Sequence, residues 1–151
     1  MSGTGALRFA DAAELQALVD AFERGEVPAG GFSHQAHLAV ALAYLDRYGL
    51  DGATQRVREG LLHFLRRALG DDVAAQVKYR ETITVFWVRL LAAALADSDP
   101  ALPLVERVNP LLERFRDSSL IHRYYSAARL DSAAARSTFL EPDLRPLPDA
   151  S

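Results

Sequence analysis

Apolar residues return at intervals of three and four through most of this chain, while stretches in which Val, Ile and Thr alternate with polar residues are nearly absent. That period is the helical one, and it predicts an all-α chain. Over residues 11–24, Leu15, Leu18, Val19 and Phe22 fall on one face of an amphipathic helix, which Gly25, Pro28, Gly30 and Gly31 then break. A second helix is expected from Ser33, a residue with N-cap chemistry, to Gly49. Its stretch 36–45 is apolar almost all round except for His37 and the Tyr44 hydroxyl, which predicts a central position. A third helix over 54–69 turns Val57, Leu61, Phe64, Leu65 and Ala68 inward and ends at Gly70, suited to a C-cap. After Asp71 and Asp72 a second nearly all-apolar run, 83–96, predicts another central helix; its only charge is Arg89, expected either to snorkel to the surface or, if it points inward, to pair with a carboxylate, for which Asp and Glu positions before the fifth helix are candidates.

The rest of the chain is more broken. Pro100, Pro103 and Pro110 punctuate a fifth helix through Leu104, Val108, Leu111, Leu112 and Phe115. Asp117 or Ser118 is placed to cap a short sixth helix carrying Leu120, Ile121, Tyr124 and Tyr125, and Ser132 a seventh ending near Phe139. Three prolines make the tail, 141–151, extended. The expectation is one domain over 1–151, a helical bundle of about five main helices with short C-terminal ones. Its length is near the commonest domain size.

Composition narrows the function more than the fold. A formal net charge of -3 gives no field that would gather nucleic acid or acidic lipid, so neither is an expected partner. Without cysteine there is no disulfide, thiolate metal site or cysteine nucleophile. No apolar run approaches the ~20 residues of a spanning helix, and Asp11, Glu14 and Asp20 interrupt any secretory signal, so a cytoplasmic location is expected. Sixteen of the seventeen basic residues are Arg, a bias that suggests a high-GC bacterial source.

Candidate chemistry gathers at two helix starts. Short connections make successive helices antiparallel, so the second and fourth should begin at the same end. The second opens with Phe32-Ser33-His34-Gln35-Ala36-His37 and the fourth with Lys78-Tyr79-Arg80-Glu81-Thr82. His34 and His37, three apart, share a helical face, and Glu81 is the candidate third ligand of a His/His/Glu metal site. Such a set holds zinc or non-haem iron and activates water or dioxygen, with Tyr79 and Glu81 as acid–base groups. That reading is a metal-dependent enzyme acting on a small molecule. The rival is a non-catalytic protein that holds an anionic small molecule with Arg80 and Lys78, and the third a structural or interaction module. In the plainest reading His34 is an exposed first-turn residue, His37 a hydrogen-bonded core histidine and Glu81 a complement to its own helix dipole. His63, in the polar stripe Arg56, Glu59, His63 and Arg66, and His122, beside Arg123, are expected at the surface.

The segments FSHQAHLAVALAYL, YRETITVFW and YYSAARLDSAAARSTFLEPDLRPLP resemble a family of small all-α bacterial proteins of uncharacterised activity, with an [ST]-H-x-x-H-L motif and a Y-[HR]-E-T-x-T motif. Ser33, His34, His37, Tyr79, Glu81, Thr82 and Thr84 match it, and Arg80 stands where relatives often carry histidine. The resemblance implies that His34, His37 and Glu81 form one site. Arg80 in place of histidine favours anion binding or a site completed by Glu81.

Overall fold

Most of the helices begin where a short polar side chain takes over a free backbone amide; the two that follow Arg80 and Pro103 do not. The computed structural model describes residues 7–26 and 32–149; Pro28, Gly30, Gly31 and the last two tail residues lie outside them. Asp11 accepts from the Glu14 amide and opens α1 (Ala12–Glu23), and Ser33 accepts from the Ala36 amide and opens α2 (His34–Leu69). The second and third expected helices meet at Gly49 with no loop between them, so the third begins a few residues earlier than expected. Helical turns resume immediately after Gly49, whose φ of 79° and ψ of -176° interrupt α2.

That interruption reverses the chain. The rings of Phe32 and Phe64 stand 6.2 Å apart, whereas a straight helix would separate these positions by roughly 48 Å. The arms 34–48 and 50–69 therefore form an antiparallel helical hairpin. Helix α1 packs on it through Phe22, and the closeness is made possible by Gly60, where a Cβ would fall 2.1 Å from the Phe22 ring.

Gly70, at φ 71°, ends α2 as expected. A short helix that the apolar pattern did not reveal follows, α3 (Asp72–Lys78), capped by Asp71. Tyr79 and Arg80 are extended, so α4 (Glu81–Asp97) starts at Glu81, inside the polar cluster 78–82 that precedes the apolar run. Helix α4 packs chiefly on α2 and runs in the same sense as its first arm. At one end the His34 ring lies 4.6 Å from that of Trp87. At the other, Arg107 of α5 (Leu104–Arg114) joins Asp46 at 3.7 Å to Ser98 at 2.9 Å and the Leu95 carbonyl at 3.2 Å.

Asp117 caps a 3-10 helix over Ser118–Arg123, Ser126 a further short helix, α6 (Ala127–Leu130), and Ser132 α7 (Ala133–Ser137). The segment 141–149 carries no helix, as its prolines require, and is fixed along its length. The Leu144 amide donates to the Tyr124 carbonyl, Ser126 to Asp143, and the Tyr125 hydroxyl to the Leu140 carbonyl at 2.6 Å. Arg89 finds its acid here, in Glu141 at 3.6 Å, and not before α5. No strand occurs among the described residues, and one apolar cluster runs from Phe9 to Leu130. Among the described residues no helix is long and apolar enough to cross a membrane.

Candidate functional site

His34, His37, Leu38 and Ala41 fall three and four apart on the first arm of α2, and Arg80, Ile83, Thr84, Trp87, Val88 and Leu91 do the same along the start of α4. Between these stripes lies a cavity of about 510 Å³, within the size of ordinary ligand pockets. Val57 and Leu61 of the second arm close one side; Ser118, Ile121, His122, Leu130 and Asp131 close another. The floor is apolar. Arg80, Ser118, His122 and Asp131 are exposed and form the rim.

Glu81 is not part of this cavity. One residue along a helix is 100° around it, so Glu81 joins Val85 and Arg89 on a different face of α4, turned to the second arm of α2. There Arg58 donates to both carboxylate oxygens, at 2.9 and 2.6 Å, and the Tyr79 hydroxyl donates to one of them at 2.6 Å. Burial alone would raise the Glu81 pKa, but the hydrogen bonds from Arg58 and Tyr79 outweigh it and hold the carboxyl below its ordinary value. Burial and the bond to Glu81 push Tyr79 well above the usual tyrosine range. The expected His/His/Glu set is therefore not assembled. Among the described residues no group of three or more His, Cys, Asp or Glu side chains is arranged to hold a metal ion. The carboxylate expected to complete that set is instead committed to an arginine and a tyrosine.

The two histidines do share the cavity. The Phe115 carbonyl can only accept, so the 3.0 Å contact to His34 Nε2 makes that nitrogen the proton carrier and leaves a lone pair on Nδ1 in the neutral ring. Burial lowers the His34 pKa, against the Phe115 bond and the charge of Asp117. His37 packs on Phe32, ring centroids 4.9 Å apart, and is pushed down to about 4 by burial and then by His34. Both shifts favour the neutral ring near pH 7. Thr82, matched in the second motif, does structural work: its hydroxyl donates to the Thr138 carbonyl at 2.8 Å and accepts from the Leu140 amide at 3.2 Å.

Lys78, at the end of α3, is exposed and does not line the cavity with Arg80. His63 is half-buried against Gly25, not solvated, because the second arm folds back onto the end of α1. His122 is exposed as expected, yet its place on the rim, like that of Asp131, gave no periodic signal in the sequence.

Trp87, the one tryptophan, reports on this geometry. Imidazolium quenches a neighbouring indole, so Trp87 emission is expected to fall in acid with a midpoint below the ordinary histidine value of 6.5, and His34→Gln is expected to flatten the titration. A midpoint at or above 6.5, or an unchanged curve in the variant, would contradict the packing of these two rings. No protein-family model, curated protein or solved structure matches the chain, so the function is argued from the cavity itself.

Proposed function

We propose that this chain binds a small molecule with an apolar body and an anionic group, the body seated between the first arm of α2 and α4 and the anion held at the rim by Arg80. The observation that carries the reading is the pairing of an apolar cavity with a cation at the start of α4, Arg80, that has no ion-pair partner among the described residues. Ser33 caps α2, but no side chain caps α4, whose N-cap residue is Arg80 itself. The positive end of a long helix and a guanidinium thus stand together beside the cavity. Neutral His34 and His37 add hydrogen-bonding groups without a charge that would need neutralising.

The probe is 3-phenylpropanoate, followed by Trp87 emission and by calorimetry. Saturable binding is expected, weakened roughly tenfold by Arg80→Gln, which corresponds to about 1.4 kcal/mol. Binding indifferent to that change, or none at millimolar probe, would overturn the reading. A metal-dependent reaction remains the second class of function to test, since neutral imidazoles are competent ligands. Protein purified without a His tag is expected to carry no stoichiometric zinc or iron by elemental analysis. Metal present in the wild type and absent in His37→Ala would reverse that expectation.

A further inference from the structure

The rim carries two opposite charges that do not meet. Arg80 stands at the start of α4 and Asp131 at the end of α6, and both line the cavity. Neither forms an ion pair with the other or with any further side chain among the described residues, whereas Arg58, Arg89 and Arg107 are all engaged with acids.

A purely anionic guest satisfies Arg80 and is repelled by Asp131. A guest that also carries an ammonium turns the second interaction from repulsion into attraction, and no third formal charge is needed from the two neutral histidines. We propose that the natural ligand is a small zwitterion, an apolar body bearing both a carboxylate and an ammonium, spanning Arg80 and Asp131 across the mouth of the cavity. This rests on the binding reading above and adds the second charge to it. An aromatic or branched body suits the floor, where Trp87, Leu91 and Leu38 offer flat and branched apolar surface. The class so described includes apolar α-amino acids and their short peptides.

A matched series separates the two charges. Phenylalanine carries both, 3-phenylpropanoate lacks the ammonium and phenethylamine lacks the carboxylate; phenylalanylglycine places the charges further apart. In the wild type at least one zwitterion is expected to bind tenfold or more tightly than either singly charged analogue. Asp131→Asn, at an exposed position, is expected to remove the advantage over 3-phenylpropanoate while leaving that acid's own affinity unchanged or raised. Arg80→Gln is expected to remove the advantage over phenethylamine. If 3-phenylpropanoate binds as tightly as both zwitterions, or Asp131→Asn weakens all four probes alike, the zwitterion is wrong and the anion site stands. If no probe binds the wild type, the binding reading falls with it.

Discussion

Glu81→Gln is expected to cost about 2 kcal/mol of folding stability while leaving the affinity of 3-phenylpropanoate unchanged. The substitution keeps the volume but removes the charge, and it turns an amide N–H₂ toward Arg58, which can only donate. Breaking a fully buried pair would cost 3–5 kcal/mol; the Arg58 side chain is 37% exposed, and water recovers part of the loss. Urea unfolding followed by helical circular dichroism measures the first half of this statement and calorimetric titration the second. A variant of native stability that has lost the ligand would move Glu81 back into the binding site.

The same variant has a pH signature whose sign is fixed. The folded carboxyl sits below its ordinary value of 4.5, so its contribution is complete above that value and is lost as the pH falls through the folded pKa. The gap in stability between wild type and Glu81→Gln should therefore hold constant from pH 8 to about 5 and close in stronger acid. His34 and His37 contribute over a different window. Their folded pKa values are lowered, so the unfolded chain takes up protons first and stability declines as the pH drops below 6.5. That decline is common to both proteins and cancels in the difference.

The helices were legible because their signals are local. A stripe such as Leu15, Val19 and Phe22 declares its period within one segment, and Ser33, Asp117 and Ser132 cap the helices they were expected to cap. The rotation of α4 was less legible for a physical reason: Thr82, Thr84–Val88 and Leu90–Leu91 are all buried, so no single polar side marks which face looks where. The spacing Arg80, Thr84, Trp87 and Leu91 against Glu81, Val85 and Arg89 does contain the answer, once a stripe rather than a cluster is followed. Partners set by tertiary approach left no trace. Arg58 lies one position from inward-facing Val57, yet nothing near it names Glu81; Arg89 meets Glu141 in a segment with no period at all. His122 and Asp131 reach the rim from connecting helices too short to show an amphipathic pattern.

Gly49→Ala is expected to destabilise the protein by about 2 kcal/mol, or roughly 4–8 °C in Tm for a chain of this size. A Cβ at this position would meet nothing within 4 Å, so crowding has no part in the cost. Conformation does: φ 79° with ψ -176° lies in a region open to glycine and closed to L-residues. Asparagine does not rescue the position, because its tolerance is for the left-handed helical region, where ψ is small and positive. Gly70, at φ 71° and ψ 15°, does lie in that region, and Gly70→Asn is expected to be nearly neutral by the same measurement. The decisive comparison is D-alanine introduced at position 49 by chemical ligation. For a D-residue the observed angles are the mirror image of ordinary extended backbone, so strain vanishes and the stiffer unfolded chain raises stability by about 0.5–1 kcal/mol. L-alanine and D-alanine then differ in sign at one site. Because the turn at Gly49 is what returns Val57 and Leu61 to face His37 and Ala41, the L-variant is also expected to bind 3-phenylpropanoate more weakly and the D-variant as well as wild type. Equal stabilities for the two stereoisomers would mean that the hairpin does not turn on this residue.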